Sequence, residues 1–206
     1  MTDVCVVELG RNGDIINILP VLKHLSVQLG KPPTLMISHE FENILDGVSY
    51  VKPYAVDLPF THLDTALKMA HEKFQVVIPA QVCGRGYKFE PKTSNFNLES
   101  WNMAGYQHEF HNPSWMVEFD RRNKGMESAV ANKLFRTKLP KVVTNLTQAV
   151  SAPLEGGKTI LDQLQARWHG KFEVVEIGKF RLQHIYDLLG IMERAVLIVS
   201  VDTATL

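Results

Sequence analysis

The chain has 206 residues, room for one large domain or two small ones around a buried core. Hydrophobic residues make up 45% and charged residues 21%, the balance of a soluble globular protein rather than a disordered chain. Lys+Arg and Asp+Glu are both 22, and a formal net charge of +0 argues against a chain built to coat nucleic acid or an anionic membrane.

Met1 leads almost directly into the apolar run Val4-Cys5-Val6-Val7, without the charged segment and apolar core of a signal peptide. No apolar run reaches the length of a membrane span. The expected location is the cytoplasm. Cys5, inside an apolar strand, reads as a small core residue, and with Cys83 as the second of two cysteines a disulfide framework is excluded.

Residues 4–9 form a near-continuous apolar run, as in a strand covered on both faces. Positions 15, 18, 19, 22, 25 and 29 are apolar at helical spacing. Pro20 falls inside that pattern, so the helix either bends there or begins near Leu19. Gly30 and Pro32-Pro33 close the unit. Residues 34–38, 48–54 and 74–79 read as further strands, with a helix over 63–71. Strands alternating with helices predict a parallel sheet with helices on both sides.

The stretch 84–123 breaks the alternation. It carries Tyr87, Phe89, Phe96, Trp101, Tyr106, Phe110, Trp115 and Phe119 among polar residues, too many aromatics for a disordered linker. Short helices and ordered loops over one sheet edge are expected. Arg121-Arg122-Asn123-Lys124-Gly125 reads as an exposed charged turn, with a domain boundary between it and Pro140. Alternation then resumes, with strands over 142–146, 172–177 and 196–201 and helices over 156–168 and 182–194.

Two segments place a carboxylate at the exit of a buried strand, where open α/β sheets bind ligands. In Gly10-Arg11-Asn12-Gly13-Asp14, two glycines allow a sharp turn and a close backbone approach. Asp14 then stands near a helix N-terminus, which favours its ionised form. It reads either as a general base or as a helix cap. Asn12 occupies the middle-glycine position of a dinucleotide fingerprint, which weakens a dehydrogenase reading. Near the other end, Val201-Asp202-Thr203-Ala204 reads either as a ligand-binding turn or as an ordinary cap. Glu176, at a strand end, is either a nucleoside contact or a solvated carboxylate. Lys158 reads as an exposed helix residue. His108 and His111 are spaced like a helical ligand pair but lack further ligands, so no metal is expected.

The run Gly13-Asp14-Ile15-Ile16-Asn17-Ile18-Leu19-Pro20 and the turn at Asp202-Thr203-Ala204 together resemble glycosyltransferase family 9, which includes the lipopolysaccharide heptosyltransferases. That resemblance implies a GT-B-like α/β fold of two Rossmann-like parallel-sheet domains, over residues 1–125 and 126–206, the second incomplete. It implies metal-independent, inverting transfer of a sugar from a nucleotide-diphospho-sugar to a carbohydrate or glycolipid hydroxyl, with no cofactor. Where that acceptor is membrane-borne, the contact with the membrane is peripheral. Asp14 inherits the role of catalytic base. Asp202, Thr203, Ala204, Ser151 and Glu176 fall on the donor side, and Gly13, Asn17 and Arg85 on the acceptor side. ADP-heptose is the best-known donor of the family, but the loop after residues 142–146 has no lysine to meet a diphosphate, which leaves the donor open. The resemblance is cut off at Leu206, before the His-Leu that follows the turn in family members, which reads as a truncation inside the donor site. An inactive remnant, or another nucleotide-sugar enzyme such as an epimerase, stays open beside the transferase.

Overall fold

The computed structural model describes residues 3–82, 95–147, 154–178, 180 and 182–200. The chain divides into two compact units, Met1–Arg121 and Arg122–Leu206, each with its own sheet.

The first unit is built on β1 (Val4–Val7), β2 (Thr34–Ser38), β3 (Lys52–Val56) and β4 (Val76–Pro79), all parallel, in the order β3-β2-β1-β4. In register, Cys5 lies beside Thr34 on one side and Val77 on the other. Parallel strands need crossovers, and two helices supply them. α1 (Asn12–Leu29) links β1 to β2 and buries Ile15, Ile18, Leu19, Val21, Leu22 and Leu25. It starts at Asn12 and runs through Pro20, so Pro20 is not where it begins. A proline there forfeits one helical hydrogen bond, which the buried apolar stripe offsets. α2 (Leu63–Lys73) links β3 to β4. Its Leu63, Ala66 and Ala70 close a core with Cys5, Val7, Leu9, Met36 and Val56. Cys5 is fully buried, and burial pushes its thiol up to about 11, in keeping with a core role. Between β2 and β3 lies a 3-10 segment, His39–Gly47, which buries Ile44 and Leu45 and which the sequence reading left unassigned.

The aromatic stretch is ordered where it is described. α3 (Phe96–Met103) packs on α1, and a 3-10 turn follows at Gln107–Glu109. His24 of α1 meets the rings of Trp101, Tyr106 and Trp115 edge-on, at centroid distances of 5.6, 4.5 and 4.8 Å.

The second unit opens with α4 (Lys124–Leu134). The charged segment 121–125 is exposed as expected except at half-buried Arg122, but it is not all turn. Asn123 caps α4 by accepting the Met126 N–H, and Lys124 and Gly125 are already helical. Arg122 points inward and donates to Glu127 from both Nε and Nη2 at 2.6 Å. The two units accordingly meet at Arg121, a little before residue 125. β5 (Lys141–Asn145), β6 (Glu173–Glu176) and β7 (Ala195–Ser200) form a parallel sheet in the order β6-β5-β7, with α5 (Gly157–Trp168) between β5 and β6. The helix expected over 182–194 is shorter. Asp187 accepts the His184 N–H and opens a 3-10 turn, Ile185–Leu188, that runs into α6 (Leu189–Met192). Ala131, Leu134, Val143, Val175, Ile177, Leu188 and Ile191 make this unit's core. Among the described residues no helix is long and apolar enough to cross a membrane.

Candidate functional site

In each sheet the first strand has its crossover partners on opposite sides, so chain direction reverses beside it. Such a switch point opens a crevice at the carboxyl ends of the strands. In the first unit it lies between β1 and β4.

The backbone leaving β1 is held on both flanks there. Glu8 N–H donates to the Met36 carbonyl at 3.0 Å, and Ala80 N–H donates to the Val7 carbonyl at 3.1 Å. Buried Gln81 bridges the strands. Its Oε1 accepts the Leu9 N–H at 3.0 Å, and its Nε2 donates to the Phe60 carbonyl at 2.8 Å. Glu8 is only 2% exposed, and its Oε1 accepts the Gly10 N–H at 2.7 Å. Asp14 sits in the first turn of α1 and accepts the Arg11 N–H at 2.9 Å. It is therefore a helix-capping group. A carboxylate has about four lone-pair sites, so one such bond leaves it able to accept more.

Glycine is required at position 10 for space rather than for backbone torsion. A Cβ there would lie 2.6 Å from Asp14 Cβ, Asp14 Oδ2 and Glu8 Oε1. The expected sharp turn is not left-handed, because neither Gly10 nor Gly13 has positive φ. Gly13 lies within the first turn of α1. Asn17 follows Asp14 by one turn, and both line a small recess with Glu8, Val82, Phe96 and Ser100. The structure thus brings Asp14 and Asn17 together, with Gly13 beside them in the chain. Arg85 lies outside the described residues. Sequence reasoning missed Glu8, Gln81 and Ser100. The available signal was Glu8 itself, the one charge in the apolar run 4–9.

In the second unit the switch lies between β5 and β7, where Asn145 and Ser200 are register partners. Glu176 is heavily engaged rather than solvated. Its carboxylate accepts from Thr144 Oγ1 at 2.7 Å, Leu146 N–H at 3.0 Å, Thr147 N–H at 3.1 Å and Thr147 Oγ1 at 3.0 Å. It clamps the backbone that leads toward Ser151. α5 begins hard against the end of β5, since a Cβ on Gly157 would lie 2.2 Å from the Leu146 carbonyl oxygen. Ser151, Asp202, Thr203 and Ala204 lie outside the described residues. Lys158 pairs with Asp162 at 2.8 Å on the exposed face of α5. His108 Nε2 is 3.6 Å from the Glu109 carboxylate and His111 meets Phe110 edge-on. Among the described residues no group of three or more His, Cys, Asp or Glu is placed to hold a metal ion.

No protein-family model and no curated protein sequence matches the chain. Solved structures do. A glycosyl transferase family 9 structure from Veillonella parvula superposes with a TM-score of 0.59 at 14% identity, over 99% of this chain and 76% of that one. The E. coli ADP-heptose lipopolysaccharide heptosyltransferase II gives 0.59 at 10% identity, over 98% and 80%. An E. coli heptosyltransferase solved with ADP-2-deoxy-2-fluoro heptose gives 0.52 at 12% identity, over 98% and 84%. At these identities the likeness is one of architecture, and it bears out the fold read from the two strand-exit motifs: the chain has the GT-B-like α/β fold of the family 9 glycosyl transferases.

Proposed function

We propose that this protein is a glycosyltransferase that moves a sugar from a nucleotide-diphospho-sugar to a carbohydrate hydroxyl. The observation that carries the reading is the position of Asp14. It stands at the carboxyl end of β1, at the switch point of the sheet, on the rim of a recess, in the fold of the family 9 enzymes. The Asp14 carboxylate takes the proton of the acceptor hydroxyl as its oxygen attacks the anomeric carbon. Attack comes from the side opposite the diphosphate, so the bond to the diphosphate oxygen breaks with inversion. The nucleoside diphosphate leaves with its charge met by backbone N–H groups and hydroxyls at Ser151 and Thr203, and Asp202 accepts from sugar hydroxyls. These three roles and the contribution of Ala204 rest on the sequence resemblance. Glu176 serves by holding the Leu146–Thr147 backbone that enters the Ser151 loop. The reaction needs neither metal nor cofactor, and the heptosyltransferase neighbours make ADP-heptose the first donor to test.

The test is turnover of ADP-heptose, UDP-sugars and GDP-sugars by wild type and Asp14→Asn. Asparagine keeps an acceptor for the Arg11 N–H but cannot take a proton. The expected result is donor binding retained and turnover lowered by at least ~100-fold, the usual scale for losing a general base. Full turnover in Asp14→Asn, or selective binding of NAD in place of any nucleotide sugar, overturns the proposal.

A further inference from the structure

Three consecutive backbone N–H groups follow β1, those of Leu9, Gly10 and Arg11, and each donates to a side-chain oxygen. Gly10 donates to Glu8 Oε1 at 2.7 Å and Arg11 to Asp14 Oδ2 at 2.9 Å, so these two bonds close within the strand exit itself. The Leu9 bond reaches outside it, to Gln81 Oε1 at 3.0 Å, 72 residues along the chain.

Gln81 is 1% exposed and follows the end of β4. Its backbone is steadied there, because the neighbouring Ala80 N–H donates to the Val7 carbonyl at 3.1 Å. Its Nε2 donates to the Phe60 carbonyl at 2.8 Å, in the 3-10 turn that leads into α2. One buried amide thus ties the exits of β1 and β4 to the turn before α2. Both partners are main-chain groups, one a donor and one an acceptor, so a side chain here must accept from one end and donate from the other. An aliphatic side chain would leave both buried groups unpaired.

The tie at Leu9 reaches Asp14 through Gly10. No space is left between them, since a Cβ on Gly10 would lie 2.6 Å from Asp14 Cβ and Asp14 Oδ2. A close-packed contact passes a displacement on instead of absorbing it. We infer that Gln81 is a positioning residue for Asp14, which aims the carboxylate by holding the Leu9 N–H. The catalytic consequence rests on the transferase reading, and the positioning itself does not.

The experiment compares wild type, Gln81→Leu, Gln81→Glu and Val4→Ala on the full chain. It measures turnover with ADP-heptose, UDP-sugars and GDP-sugars, and NMR of the Leu9 and Arg11 amides. The Arg11 amide reports its bond to Asp14 whether or not sugar is transferred. Gln81→Leu should shift both amides and lower kcat by at least ~10-fold with donor KM within ~2-fold, the pattern of a misaimed group. Val4→Ala removes buried volume at the other end of β1 and controls for lost stability, so its amides and kcat should stay at wild-type values. Gln81→Glu is the rescue. Protonated, its carboxyl donates to the Phe60 carbonyl and accepts from the Leu9 N–H, whereas ionised it has no proton to donate. Its kcat and Arg11 amide shift should therefore match wild type at pH 5 and depart from it as pH rises to 9. Comparison with wild type at each pH removes the titration of Glu8 and Asp14 from that difference. Gln81→Glu also carries the test where Gln81→Leu does not fold. An unmoved Arg11 amide in Gln81→Leu, an equal loss of kcat in Val4→Ala, or a Gln81→Glu difference that does not grow with pH overturns the inference. Absence of sugar transfer by wild type overturns the transferase reading instead, and the amide responses then decide the positioning role by themselves.

Discussion

At the scale of single residues, the site is shaped by what cannot be added. A methyl group on Gly10 would press on Asp14 Cβ, Asp14 Oδ2 and Glu8 Oε1 at 2.6 Å each. Neither carboxylate is free to move aside. Glu8 is held by the Gly10 N–H and Asp14 by the Arg11 N–H. Gly10→Ala should therefore cost about 1–3 kcal/mol, the usual range for overpacking, and displace Asp14. Thermal unfolding measures the first effect and turnover the second. A variant with wild-type stability would show that the loop yields more easily than its hydrogen bonds suggest. In the second unit, Glu173 carries a different kind of constraint. Burial alone would raise its pKa, but bonds from Lys141 Nζ, Thr137 Oγ1 and the backbone N–H groups of Arg136 and Thr137 hold it at about 2. A folded value below the ordinary 4.5 means that the ionised form is bound by the fold. Its stabilisation, on the order of 3 kcal/mol, is full above pH ~4.5 and is lost as pH falls from there towards 2. Glu173→Gln should lose about 2–3 kcal/mol at pH 7 and flatten the acid limb of stability over that window. An unchanged acid limb would assign the acid sensitivity to other groups.

At the scale of elements, α1 does two jobs from two ends. Its first turn carries Asp14, and further along its length His24 anchors the aromatic stretch. His24 is 2% exposed, and neither ring nitrogen has a hydrogen-bond partner. Burial holds its pKa below the ordinary value, with Glu109 opposing that shift and neighbouring His108 adding to it. The fold thus selects the neutral ring. A histidine whose folded pKa is lowered contributes fully above its unfolded pKa of about 6.5, and that contribution falls as pH drops below it. Docking of α3 and the Trp115 loop on α1 should loosen over the same range. Trp101 and Trp115 touch His24 directly, so their fluorescence reports the change. His24→Leu keeps the packing and removes the titration, so its fluorescence should stay flat from pH 7 to 5 while wild type changes. Parallel curves for the two proteins would refute the assignment. The elements themselves were largely legible in the sequence. The strand over 34–38 and the helix ending at Trp168 match because apolar spacing and the flanking glycines agree there. α4 was not legible, because Arg121-Arg122-Asn123-Lys124 looks like a solvated charge run until Glu127 and Glu193 supply buried and surface partners for Arg122. The candidate site was half legible. Asp14 and Asn17 lie in a recognisable motif, but the contributions of Gln81, Ser100 and Phe96 depend on tertiary contacts that bring β4 and α3 to the end of β1.

At the scale of the whole molecule, the two units differ in how completely their sheets are covered. The first has four strands, with α1 and α2 as its crossovers. The second has three described strands, and on its edge strand β7 Val196, Leu197 and Ile198 are 62%, 44% and 38% exposed. Less apolar surface is withdrawn from water there, so the second unit should be the weaker one. Each unit also has a separate core, and the ion pairs Arg122–Glu127 and Lys141–Glu173 both lie within the second. Urea should therefore unfold the chain in two steps, the Arg122–Leu206 unit first. The tryptophans allow the steps to be told apart, since Trp101 and Trp115 lie in the first unit and Trp168 in the second. In a Trp168→Phe background, fluorescence follows the first unit alone, while far-ultraviolet circular dichroism follows both. Adding Glu173→Gln should move the early dichroism step to lower urea and leave the fluorescence midpoint in place. Adding Gly10→Ala should do the reverse, because substitutions in separate cores with no shared partners act independently. A fluorescence midpoint that shifts with Glu173→Gln as much as the dichroism does would show that the two cores unfold as one.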